Sequence, residues 1–167
     1  MGVLDTEGKV YLSNNRIFAD AFNYLIYDGE EVIKAETLRE LDTTQITVPY
    51  GNDTRVPVQK YRDILKLWNA MMDDEMIYVI LGAELQGNVH YGMPVKNGLY
   101  DMIGYSNQIE EARRSYRRKT EKADDEANLS IEDGAVKIKL TSDEFLSGFR
   151  KGDKLIPIVT AVVYLGA

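Results

Sequence analysis

Met76-Ile77-Tyr78-Val79-Ile80-Leu81-Gly82-Ala83-Glu84-Leu85-Gln86 is the stretch on which the reading of the fold turns. Its first half is apolar at successive positions, which predicts a strand from Met76 to Glu84 covered on both faces, at the centre of a sheet. It closes on two polar side chains, two residues apart. On an extended strand Glu84 and Gln86 point to the same side. A polar pair leaving a buried strand marks one of two things. Either that face meets a ligand, a cation or water, or the strand simply emerges into solvent there.

Upstream, Asp63 to Trp68 reads as a second strand, and Asp73-Asp74-Glu75 supplies a polar turn between the two. A hairpin closed at that turn brings Asp63 and Glu84 together at its open end. Adjacent carboxylates repel, and the relief is a shared proton or a divalent cation. The chain has no cysteine and one histidine. Hard oxygen ligands therefore point to Mg²⁺ or Mn²⁺ rather than zinc. Such a cation would polarise a phosphate oxygen and lower the pKa of a bound water, the two requirements of phosphodiester hydrolysis.

Further out, Asn14 and Asn15 are candidate N-caps. Ile17, Phe18, Ala21, Phe22, Leu25 and Ile26 then recur at helical spacing until Asp28-Gly29 ends the helix near Tyr27. A shorter helix is expected over Ala35 to Leu41, and a short strand over Gln45 to Tyr50. Pro94 suits the start of a long helix through Val95, Leu99, Met102, Ile103 and Ile109. Residues 119–131 are charged and nearly free of large apolar side chains, which predicts a mobile linker or exposed loop. Ala135 to Leu140 reads as a half-exposed strand. Leu155 to Leu165 is a second apolar run and the expected buried neighbour of Met76 to Glu84. Trp68, Met71 and Met72 read as core or hairpin packing. The whole, residues 1–167, is expected to be a single α/β domain.

Net charge is −7, from 20 basic and 27 acidic side chains. That balance argues against broad attraction to nucleic acid, although a local basic patch can persist within it. The dense basic cluster is Arg113, Arg114, Arg117 and Arg118, followed by Lys119 and Lys122. On a helix Arg113 shares a face with Arg117, and Arg114 with Arg118. They would either grip a phosphate backbone beside Tyr116, or form a solvated helix end that pairs with Glu110 and Glu111 and complements the dipole. His90 reads as a loop residue rather than a general base. No apolar run approaches the roughly 20 residues needed to cross a bilayer. The start of the chain lacks the basic and apolar segments of a signal peptide. A cytoplasmic protein with no membrane partner is expected.

Several segments, taken in order, resemble one family. They are Phe18-Ala19-Asp20-Ala21-Phe22-Asn23, Val32-Ile33-Lys34, Arg62-Asp63-Ile64-Leu65, Ile80-Leu81-Gly82-Ala83-Glu84-Leu85-Gln86, and the run from Ile156 to Gly166. The chain resembles the recombination-promoting nuclease, or transposase-like, family of the PD-(D/E)xK nuclease superfamily. The likeness spans nearly the whole chain except about 120–135. It implies a restriction-endonuclease-like core, a mixed β-sheet flanked by helices, with divalent-metal dependence and endonucleolytic cleavage of DNA. Asp63 then matches the metal-binding Asp, and Glu84 the acidic residue of the (D/E)xK element. Gln86 stands where most of the superfamily has Lys. A neutral amide can orient water or donate a hydrogen bond, but it cannot supply charge to the attacking hydroxide or the phosphate.

Two further residues are candidate accessories. Lys96, near the start of the long helix, would supply the charge that Gln86 lacks; surface exposure is the alternative. Asp20 matches an acidic residue that the family's first helix often lends to the site, yet it falls away from the apolar face of its own helix. Arg62 precedes Asp63 where the superfamily name has Pro, a departure expected to matter little. The sequence stops at Ala167, just after the last matched strand, whereas relatives usually continue. Any dimerising or partner-binding tail would then be missing; a homodimer, or pairing with a longer relative, is the partner expectation. Two functions compete: a Mg²⁺-dependent DNA endonuclease (RNA being an alternative substrate), and a nuclease-fold module of little activity that acts through nucleic-acid or protein binding.

Overall fold

A computed structural model of the chain describes residues 3–47, 58–72, 75–129 and 141–166. Along it run helices α1 (Val3–Ser13) and α2 (Asn15–Tyr27), a 3-10 turn (Ala35–Thr37), then strands β1 (Leu38–Glu40), β2 (Thr44–Thr47), β3 (Val58–Tyr61), β4 (Ile64–Met72) and β5 (Glu75–Gln86). The long helix α3 (Met93–Leu129), the short helix α4 (Ser142–Ser147) and strand β6 (Ile158–Tyr164) follow. The architecture is mixed α/β. Among the described residues one four-stranded sheet has the order β1-β4-β5-β6, and β2 and β3 form a separate two-stranded ribbon.

The expected hairpin is the heart of the sheet. β4 and β5 pair antiparallel from Ile64 opposite Ala83 to Met72 opposite Glu75. It is longer than the apolar pattern alone predicts, because Asn69 and Ala70 continue the ladder. Asp73 and Asp74 of the expected turn lie outside the described residues, and Glu75 already belongs to β5. β6 runs parallel to β5, pairing from Ile80 with Ile158 to Gln86 with Tyr164, so the sheet is mixed.

α2 covers one face. Asn14 caps it by accepting from the Arg16 N–H at 2.9 Å, and Asp28 ends it in the left-handed region at φ 52. Its Phe18 and Phe22 rings stack 4.6 Å apart and pack with Ile33, Leu38, Ile64, Trp68, Leu81, Ala83 and Leu85. Burying aromatic side chains of this size supplies much of a small domain's stabilisation. Asn23, also buried, holds the chain after the helix: its amide donates to Ile33 O at 2.9 Å and accepts from Ile33 N–H at 2.8 Å. Lys66 is fully buried on β4. Its ammonium donates to Ser13 O and Asn15 Oδ1, each at 2.6 Å, and lies 3.4 Å from Glu40 Oε1, tying the α1–α2 junction to the sheet.

Several expectations are corrected. The helix read over Ala35 to Leu41 is only one 3-10 turn followed by β1. So short a segment cannot hold a helix against competing pairing, and Leu38 pairs instead with Trp68. Asn15 also donates to the carbonyls of Ala35 and Leu38. Residues 119–129, read as a linker or loop, continue α3. Their Ala, Glu and Lys content favours a helix even without an apolar stripe. The run near Leu155 to Leu165 is beside β5 as expected, but among the described residues β6 is the last strand of the sheet, and Val159, Val162 and Tyr164 are exposed. The strand read over Gln45 to Tyr50 is described as β2, with residues 48–57 outside the described set, as are 130–140 and the strand read there. The sequence pattern does not disclose α1, β3 or α4. Among the described residues no helix is long and apolar enough to cross a membrane.

Candidate active site

The register of the hairpin sets the site. Ile64 faces Ala83, so Asp63, one residue earlier, stands beside the end of β5. Leu85 N–H donates to Asp63 Oδ2 at 2.8 Å, which fixes the carboxylate against the strand. Its other oxygen, Oδ1, takes the Lys9 ammonium at 2.6 Å. Lys9 reaches this far because α1 lies directly on the sheet. A Cβ on Gly8 would stand 2.8 Å from Leu85 Cδ2 and 2.9 Å from Leu165 Cδ1. A larger residue at Gly8 would require one of those leucine side chains, or α1, to shift.

Glu84 is buried, with 1 % of its surface exposed. Its Oε2 accepts from Lys96 Nζ at 2.9 Å, and its Oε1 is buried with no hydrogen-bond partner among the described residues. Burial raises the Glu84 pKa above the ordinary 4.5, and the Asp63 charge adds to that. The Lys96 hydrogen bond and charge, and then Arg62, act in the opposite direction. For Lys96 burial favours the neutral amine. The hydrogen bond and charge of Glu84 outweigh it, so its pKa is raised and the ammonium persists. Lys96 keeps 39 % of its side chain exposed, so the pair opens to solvent on the lysine side. Two carboxylates and two ammoniums thus meet at one end of the hairpin.

Arg62 contributes more than expected. Its side chain is buried, donating to Thr160 Oγ1 and to Asp101 Oδ1, each at 2.5 Å. Thr160 in turn donates to Asp101 at 2.8 Å. The guanidinium lies 5.4 Å from the Tyr100 ring centre, and Lys96 Nζ lies 5.5 Å from the same ring. Gly82 makes the room, since a Cβ there would overlap Arg62 Nη1. A glycine inside an apolar strand often marks such a close approach, and this was the available sequence signal for Arg62. Nothing in the sequence pointed to Lys9, because α1 has only a weak apolar stripe.

The other candidates lie as follows. Gln86 ends β5 half-buried, on the same side of the strand as Glu84, and its carbonyl accepts from Leu165 N–H at 2.9 Å. Asp20 is exposed on α2 and lines a cleft with Arg16, Glu31, Lys34 and Glu36; none of Asp63, Glu84 or Lys96 lines that cleft. His90 is exposed in the loop before α3, and its carbonyl accepts from Met93 N–H. Arg113, Arg114, Arg117 and Arg118 are exposed along α3. Arg113 is 3.6 Å from Glu110, and Arg118 Nε donates to Arg114 O.

Among the described residues no three His, Asp or Glu side chains gather as a metal-binding group. A divalent cation would have Asp63 and Glu84, with Glu84 Oε1, unpartnered among the described residues, as the acceptor left to it. Two hard oxygen donors with water completing the shell suit Mg²⁺, which keeps several waters when bound. Set against known family models, curated proteins and solved structures, the chain matches none.

Proposed function

We propose that this chain is a divalent-metal-dependent endonuclease that hydrolyses DNA phosphodiester bonds, with a restriction-endonuclease-like core of the recombination-promoting kind. The observation that carries the reading is the Oε1 of Glu84, buried near Asp63 and without a hydrogen-bond partner among the described residues. A buried carboxylate oxygen without a donor costs free energy, and such a cost is retained where a cation or reacting group is to be met. Asp63 and Glu84 would hold Mg²⁺ or Mn²⁺, which supplies Lewis-acid polarisation of the phosphate and a water acidic enough to attack at neutral pH. Lys96 carries the positive charge that Gln86 lacks, next to Glu84 and open to solvent. Lys9 holds the Asp63 carboxylate in place, and Gln86 is left to orient water. Arg113, Arg114, Arg117 and Arg118 would contact the DNA backbone farther along α3.

A second reading has its own observation. Lys9 and Lys96 already neutralise both carboxylates, so the cluster is electrically balanced without a cation. A nuclease-fold binding module of little activity would look the same. One experiment separates them. Supercoiled plasmid is incubated with the purified chain and Mg²⁺, Mn²⁺ or EDTA, beside Asp63→Ala and Glu84→Ala. Nicking that needs metal and is lost in both variants is expected. Absence of cleavage by folded protein under every condition favours the binding module.

A further inference from the structure

Buried ion pairs are poor stabilisers compared with apolar side chains of the same volume, and what they can contribute is one fixed geometry. Arg62 is such a case. Its guanidinium is enclosed, its Nε is buried without a partner among the described residues, and the bare backbone of Gly82 makes room for it. The fork reaches two elements at once: Thr160 on β6 and Asp101 on α3. Arg62 itself immediately precedes Asp63. Asp101 and Tyr100 lie on the turn of α3 that follows Lys96, and Lys96 and Tyr100, four residues apart, share a helix face. The Tyr100 ring therefore has two cations within reach, the Arg62 guanidinium and the Lys96 ammonium. A closed circuit results. Arg62 joins Asp101 and Tyr100, Tyr100 meets Lys96, Lys96 holds Glu84, and Glu84 faces Asp63 beside Arg62.

We infer that Arg62, Tyr100, Asp101 and Thr160 form a positioning network that fixes the start of α3, and with it the Lys96 ammonium, over Glu84. None of the four touches the reacting groups. Tyr100, Asp101 and Thr160 act through Lys96, whose long side chain would otherwise sample many rotamers at a half-exposed position, and Arg62 adds its own charge near Glu84. The catalytic consequence rests on the nuclease reading above; the positioning itself does not. A misplacement of about 1 Å in a catalytic group is enough to cost on the order of a hundredfold in rate.

The test is a double-mutant cycle between Asp101→Asn and Lys96→Ala, read both by cleavage and by thermal denaturation. In cleavage, Asp101→Asn alone is expected to lower kcat by roughly ten- to a hundredfold with little change in KM. In the Lys96→Ala background the same substitution should cost at most about twofold, because its route is already gone. A merely structural residue would lower both backgrounds equally, and that result overturns the proposal. Tyr100→Leu should reproduce the loss while Tyr100→Phe, which keeps the ring, restores it; equal effects of Leu and Phe also overturn it. In denaturation the Tm losses of Asp101→Asn and Lys96→Ala should be less than additive, and strict additivity overturns the network whatever the activity. If the natural chain does not cleave DNA at all, the nuclease reading fails while the denaturation cycle still decides the network.

Discussion

Replacing Gly8 by alanine sets two effects of known sign against each other. In the interior of a helix, alanine is favoured over glycine by about 1 kcal/mol. Gly98 in α3 gives that gain undisturbed, because a Cβ there would meet nothing within 4 Å. At Gly8 the same Cβ would stand 2.8 and 2.9 Å from the methyl groups of Leu85 and Leu165. Comfortable carbon contacts lie at about 3.5–4.0 Å. The overlap has to be relieved by moving either α1 or a buried leucine, at about 1–3 kcal/mol for overpacking of this kind. Gly98→Ala should therefore stabilise by about 1 kcal/mol, while Gly8→Ala falls about 1–3 kcal/mol below it. For a chain of this size each kcal/mol moves Tm by roughly 2–4 °C. Urea denaturation followed by fluorescence of Trp68, the single tryptophan and a core residue, reads the difference directly. Equal stabilisation by both substitutions would refute tight docking of α1 on β5, and with it the reach of Lys9 to Asp63.

Asn23→Ala leaves the Ile33 N–H and carbonyl without their partners in a buried place. A loss of about 2–4 kcal/mol is expected in the same denaturation assay, and a loss below about 1 kcal/mol would show that water replaces the amide. Glu144 is held below the ordinary carboxylate value of 4.5 by hydrogen bonds from the backbone N–H groups of Thr141 and Lys151. Its folded pKa is depressed, so its contribution is present above 4.5 and disappears as the pH falls through the folded value. Glu144→Gln should lower Tm at neutral pH and converge with the natural chain in acid; a constant gap would contradict the capping role. Arg113→Ala with Arg117→Ala should shallow the salt dependence of DNA binding by about 0.9 per lost phosphate contact. An unchanged slope would leave those side chains as a solvated helix surface.

What the sequence disclosed, and what it hid, follows from the reach of each interaction. The hairpin and α2 were legible because their signals are local: an apolar run, a polar turn, an Asn cap and a Gly stop. β1 carries a helix-like local pattern, yet its structure is decided by Trp68 across the sheet, thirty positions away in the pairing with Leu38. The exposed side of β6 was hidden for a related reason, since edge or centre depends on sheet order and not on composition. At the site, Asp63, Glu84 and Lys96 were foreseeable as residues of suitable chemistry. Lys9 and Arg62 were not, because each acquires its partner through close approaches at Gly8 and Gly82. A glycine in a sequence announces room without saying what fills it. Lys66 is the extreme case, a lysine with no exposed surface that composition would assign to the outside.

At 1.5 Å per residue, the 37 residues of α3 make a rod about 55 Å long, nearly twice the width of a small domain. Lys96 sits at one end of it. Arg113 and Arg118 lie about 26 and 33 Å further along its axis. Duplex DNA rises 3.4 Å per base pair, so that interval matches about eight to ten base pairs, close to one full turn. In a nuclease of this form the helix would act as a ruler, laying grip and cut on the same side of the duplex. Cleavage would then show a length threshold: ends shorter than about ten base pairs beyond the scissile bond would lose the far contacts together, and longer ones would all cut alike.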